Sequence, residues 1–167
     1  MKKCVILLVL HCFTAPVLGQ KSPLELFDPL VTKTWEAEGK WGDGSDFKQK
    51  IKFAYELDST LVIVRSIGFI DQEQTRLGPR NYGIRQFDKK SEQIKFWEFD
   101  VFGGLTEGIV FSEGKHIFYT YAYQGAQITE MWEYVDDGTY NFKVGEYNDG
   151  VWKQTYLNTQ FKEVEGE

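Results

Sequence analysis

Thr34-Trp35-Glu36-Ala37-Glu38-Gly39-Lys40-Trp41 decides the fold, because its residues separate into two rows at period two. Trp35, Ala37, Gly39 and Trp41 fall on one side; Thr34, Glu36, Glu38 and Lys40 fall on the other. An extended chain keeps such rows apart, one toward a core and one toward water, whereas a helix would mix them. The next segment repeats the pattern, with Phe47, Ile51, Phe53, Tyr55 and Leu57 set against Lys48, Lys50, Lys52 and Glu56. A β-branched run at 61–70 follows, and further strands are expected at 81–87, 93–101, 105–111, 116–123, 127–135, 140–147 and 151–161.

Turn-forming clusters separate these segments: Asp43-Gly44, Asp58-Ser59, Asp88-Lys89-Lys90, Gly103-Gly104, Glu113-Gly114, Gln124-Gly125, Asp137-Gly138 and Asp149-Gly150. Such residues reach positive φ or cap their own backbone, so each cluster favours a hairpin over a crossover. Only 71–80, ending in Gly78-Pro79, reads as a longer loop and a mobile mouth segment. About ten hairpin-linked strands leave no long free edge if they close on themselves. The expected fold is therefore all-β, a single up-and-down antiparallel β-barrel over 32–163, with a two-sheet sandwich as the alternative. Lys48, Lys50 and Lys52 on the outer row argue against a lipid-facing barrel.

Residues 1–19 read as a secretory signal peptide: Lys2 and Lys3, an apolar run from Cys4 to Phe13, and Val17-Leu18-Gly19 before the expected cleavage. The run is too short to span a bilayer. Cleavage would leave residues 20–31 as an N-terminal segment and a secreted or periplasmic protein. Both cysteines, Cys4 and Cys12, belong to the leader, so disulfides and thiolate chemistry are not expected in the mature chain. His11 directly before Cys12 argues against a lipid-anchored N-terminus. The whole chain has 19 basic and 25 acidic residues; loss of Lys2 and Lys3 leaves 17 basic residues and a net charge of −8. That balance argues against nucleic acid or an anionic membrane as partners.

The layout resembles the calycin group, which includes the lipocalins, the fatty-acid-binding proteins and lipocalin-like bacterial domains. A leader and a short N-terminal segment precede about ten hairpin-linked strands, and the first strand carries Trp35 in Lys33-Thr34-Trp35. The resemblance covers most of residues 24–163 and implies a cup holding a small, mostly apolar molecule. Trp35-x-x-x-Gly39 is also similar to haem-binding nitrobindin-type barrels. Those barrels supply an axial histidine late in the chain, and no histidine follows His116 here.

Charges embedded in apolar rows mark the candidate site. Arg65 lies among Leu61, Ile63, Ile67 and Phe69; Glu98 shares a row with Ile94 and Phe96; Glu130 shares one with Ile128, Trp132 and Tyr134. Glu107 and Glu146 are further instances. A charge facing inward must be paired, hydrated or matched by a ligand. Arg65 is expected to present its planar fork to a ligand carboxylate, with Glu98 and Glu130 holding it when the cup is empty. Phe96, Trp132, Tyr119 and Tyr121 complete the expected ligand-binding set. The sequence leaves open whether Tyr119, Tyr121 and Tyr123 face inward or outward. His116 reads as a hydrogen-bonded residue at a strand start, and Asp136-Asp137 and Asn148-Asp149 read as turns, so no metal and no cofactor is expected.

The function expected from these readings is binding of a hydrophobic or amphipathic small molecule in the barrel interior. Two alternatives come from other classes. One is a barrel-cup enzyme of decarboxylase, isomerase or cyclase type, and the other is a protein-interaction module.

Overall fold

Hairpin turns between period-two segments leave each strand no neighbour but those adjacent in sequence, and the observed topology follows. The computed structural model describes residues 22–165, so the expected leader lies outside the described residues. Ten strands occur in order: β1 (Thr34–Lys40), β2 (Asp46–Glu56), β3 (Leu61–Phe69), β4 (Leu77–Asp88), β5 (Gln93–Asp100), β6 (Leu105–Glu113), β7 (His116–Tyr123), β8 (Ala126–Asp136), β9 (Thr139–Asn148) and β10 (Val151–Val164). Every strand pairs antiparallel with its sequence neighbours, and β1 closes on β10 with Thr34 opposite Val164. The sheet is a closed up-and-down barrel, which sets the sandwich aside.

The β9–β10 hairpin shows how the turn residues act: Asp149 and Gly150 both take left-handed φ, 52° and 79°. Two such residues give a tight turn whose twist matches the flanking strands. The expected 71–80 loop is shorter than its breakers suggested, because Gly78 and Pro79 already belong to β4. Ser66 opposes Asn81 and Ile67 opposes Pro79, leaving Arg80 as the extra residue of a β-bulge. Proline fits where a bulge interrupts the ladder. The remaining 71–76 loop is clipped to β2: Gln74 accepts from the Asp46 N–H (2.8 Å) and donates to the Asp46 carbonyl (2.7 Å).

The base of the barrel is solid. A 3-10 turn at Glu25–Phe27 carries Leu24, Phe27 and Leu30 under the strands, all fully buried. Trp35 Nε1 donates to the Leu30 carbonyl at 3.1 Å, tying this plug to β1. Above it, Trp132 stacks on Phe161 at 4.4 Å between centroids, and Trp35 meets Tyr140 edge-on at 5.4 Å. The aromatic rings thus close one end of the barrel. On the outer wall, Lys48 pairs with Glu38 and Lys50 with Glu36, as the charged row of β2 requires. Among the described residues, no helix is long and apolar enough to cross a membrane.

Candidate functional site

Above the aromatic floor the barrel opens into a cavity of about 360 Å³, a volume within the ordinary range of small-molecule sites. Trp132 and Phe142 lie at its floor; Asp46, Gln74 and Phe102 stand at its mouth. Its side wall carries Arg85, Glu98, Tyr119 and Glu130, contributed by β4, β5, β7 and β8.

Strand register explains the gathering. Gly83 is opposite Glu98, Arg85 is opposite Phe96, and Tyr119 is opposite Glu130, all on inward-facing positions. The same pleat turns Tyr121 inward, opposite Ile128 and Gly108. Of the residues singled out from sequence, Glu98, Glu130, Trp132, Tyr119, Tyr121 and Phe96 therefore share the interior. Arg65 does not join them: it is exposed on the outer wall, because the inward row of β3 is Val62, Val64, Ser66 and Gly68. The interior cation is Arg85, only 4% exposed.

Arg85 Nη2 donates to Glu98 Oε2 at 2.6 Å, and Asn81 Nδ2 donates to the other oxygen, Oε1, at 2.8 Å. Arg85 Nε makes a longer contact to the Tyr119 hydroxyl at 3.4 Å. The guanidinium also lies over the rings of Tyr119 (5.1 Å) and Phe96 (5.5 Å). Nη1 is buried without a hydrogen-bond partner among the protein atoms, as are Ser66 Oγ and Asn81 Oδ1. A buried donor on a charged group is costly to leave unmatched. Nearer the mouth, Arg80 stacks over Phe102 at 4.4 Å, and its Nη1 is likewise buried and unpartnered.

Burial works against the charge of Arg85, but Tyr119 and Glu98 outweigh it and hold the group above its ordinary value. Glu130 receives the Tyr121 hydroxyl hydrogen bond at 2.9 Å. Burial far from bulk water, reinforced by the charge of Glu98, pushes Glu130 up to about 7, against the opposing effects of Tyr121 and Arg85. Tyr121 itself is raised, first by burial and then by Glu130. The cup therefore holds a fixed cation and a carboxyl group that changes charge near neutrality.

Gly83 is what makes room for this pair. A Cβ there would fall 2.0 Å from Arg85 Nη1 and 2.8 Å from Glu98 Oε2. Gly83→Ala is expected to displace the guanidinium and lower stability by about 1–3 kcal/mol, measurable by urea unfolding. An unchanged midpoint would show that the arginine has another place to go.

The other charged candidates lie elsewhere. Glu107 is on the outer wall opposite Trp97, and Glu146 accepts a hydrogen bond from the Tyr156 hydroxyl. His116 Nδ1 accepts from the Tyr134 N–H at 3.1 Å. Among the described residues, no group of three or more His, Cys, Asp or Glu is placed to hold a metal ion. The signal that pointed to Arg85 in the sequence was weak: its row, Asn81, Gly83, Arg85 and Phe87, is the more polar face of β4. The sequence matches no protein-family model, and no curated protein is significantly similar to it.

Proposed function

We propose that the protein binds a small, largely apolar anion inside the barrel, with the acidic end at Arg85 and the apolar body against Trp132 and Phe142. The observation that carries this reading is Arg85, which lines the cavity and whose Nη1 has no protein partner while Nη2 and Nε are engaged. A planar guanidinium with one edge held by Glu98 offers its remaining donors in a fixed orientation, which favours a carboxylate over a diffuse anion. The barrel layout and the expected leader support a calycin-like carrier working in a secreted or periplasmic setting.

The test uses straight-chain fatty acids and arylcarboxylates as probes, with native mass spectrometry and thermal shifts as readouts. The wild-type chain is expected to retain one acid per barrel, and the corresponding alcohols are expected to bind weakly. Arg85→Lys keeps the charge and loses the fork, and should weaken acid binding about tenfold or more. Retention of no probe, or equal retention of acids and alcohols, would sink the reading.

A second reading is favoured by Glu130, whose proton is poised near neutrality beside Tyr121 and Arg85. In that reading the cup moves a proton on the bound acid, as a barrel-cup isomerase would. Proton-deuterium exchange of a bound acid probe, present in the wild type and lost in Glu130→Gln, would distinguish it from simple carriage.

A further inference from the structure

On the outer wall, five residues stand directly opposite one another across five strands. Lys52 on β2 faces Arg65 on β3, Arg65 faces Tyr82 on β4, Tyr82 faces Phe99 on β5, and Phe99 faces Leu105 on β6. The row climbs from the middle of the barrel to the rim of the cavity mouth, where the 101–104 turn joins β5 to β6. It changes character along the way. The lower end is doubly cationic, the middle is an amphipathic tyrosine, and the upper end is apolar and open to solvent. Tyr82, Phe99 and Leu105 are 43%, 46% and 55% exposed, and Phe102 in the adjoining turn is 53% exposed.

Two features of this row do not serve the barrel. Like charges directly opposite in a sheet are destabilising. Yet Lys52 and Arg65 face each other with no ion-pair partner among the described residues, although neighbouring Lys48 and Lys50 are both paired with acids of β1. Arg65 is instead laid on the Tyr82 ring, 5.2 Å from its centroid. Beside it, contiguous exposed apolar side chains of this size mark an interaction surface rather than ordinary solvent-facing sheet. The nearest rim carboxylate, Asp100, is turned into its own loop, where it accepts the N–H groups of Phe102 and Gly104 at 2.8 Å. Glu107 remains the acid on this part of the wall, below Leu105.

We propose that this wall is a docking surface for an anionic lipid bilayer. The apolar rim, Phe99, Phe102 and Leu105, enters the acyl boundary, and Arg65 and Lys52 lie behind it at the level of the headgroups. A second copy fits less well, since a two-fold pairing would set cation on cation if the rows run parallel and cations on the apolar rim if they run antiparallel. The net negative charge of the chain does not oppose docking, because a partner within a Debye length responds to the local charge. Docking places the cavity mouth against the bilayer.

The chain from Gln20, which contains every described element, is mixed with vesicles of phosphatidylcholine alone or with equimolar phosphatidylglycerol, and sedimented. Binding is expected for the anionic vesicles, with little for the neutral ones. Lys52→Gln with Arg65→Gln should weaken it about thirtyfold, taking roughly 1 kcal/mol for each cation at an anionic surface. Phe99→Ser with Leu105→Ser should weaken it by a similar factor while leaving the circular dichroism spectrum and the binding of acid probes unchanged. No sedimentation with anionic vesicles, or equal sedimentation of wild type and both variants, overturns the proposal. A concentration-dependent dimer dispersed by the Phe99 and Leu105 substitutions would overturn it in favour of self-association.

Discussion

Replacing Arg85 with methionine is expected to lower stability by about 3–5 kcal/mol at about pH 8, and to recover much of that loss at about pH 5. The reason lies in what remains. Glu98 is held by the Arg85 and Asn81 side chains, and Glu130 is already raised by burial and by Glu98. Without the guanidinium, two inward carboxylates face each other in a site of low polarizability. Arg85 is one of the groups that hold Glu130 down, so without it Glu130 keeps its proton further, and the variant loses stability as pH rises and the unfolded chain releases that proton first. Arg85→Met combined with Glu98→Leu removes the buried pair as a unit and should restore most of the stability, because a whole pair is far cheaper to replace than half of one. Chemical denaturation across pH checks both variants. A loss that is the same at every pH would mean that Arg85 acts through packing over Phe96 and Tyr119 and not through charge.

Glu130→Gln is expected to act in the opposite direction. Glu130 is raised to about 7 from an ordinary 4.5, a difference corresponding to about 3 kcal/mol. Below about 4.5 the group is protonated in both folded and unfolded chains and contributes nothing. Between 4.5 and about 7 the unfolded chain releases the proton while the folded chain keeps it, so stability falls as pH rises. Above about 7 the whole deficit is present. Glutamine retains an oxygen to accept the Tyr121 hydroxyl and carries no charge. The variant should match the wild type at about pH 4 and exceed it by up to about 3 kcal/mol at about pH 8. Thermal melting of the pair across this range measures the difference directly. A constant offset would contradict a proton held on Glu130.

Much of the architecture was legible from residue type. The two rows of Thr34 to Lys40 and the Asp-Gly and Gly-Gly clusters specify strands and hairpins by local physics alone, so strand order and closure follow with little help from distant residues. Which row faces inward is a different matter where both rows are apolar. In β3, Leu61, Ile63, Ile67 and Phe69 look as much like core as Val62 and Val64 do. The inner side is chosen by the partner strand, which set Arg65 outside. In β4 the usual cue inverts: Tyr82 and Ile84 lie outward, whereas Asn81 and Arg85 line the cavity. Hydrophobic alternation reports burial in a packed core, and a polar cup is where that rule gives way. Gly83 is intelligible only once the guanidinium is seen over it, and the bulge at Arg80 was hidden behind a Gly-Pro pair that reads as a loop.

The plug beneath the barrel has a kinetic consequence. With Leu24, Phe27 and Leu30 closing the base and aromatic rings stacked above them, the vessel is blind-ended, and arrival and departure share one route. A guest whose apolar body rests on Trp132 and Phe142 and whose acid is held by Arg85 must enter tail first and leave acid first. The tail therefore sheds its water on the way in, before the acid passes Arg80 and reaches its final partner. On departure the acid emerges first, beside Phe102 at the rim. The order of exposure is fixed by the shape of the container, so the guest's apolar end is the last part to meet water again.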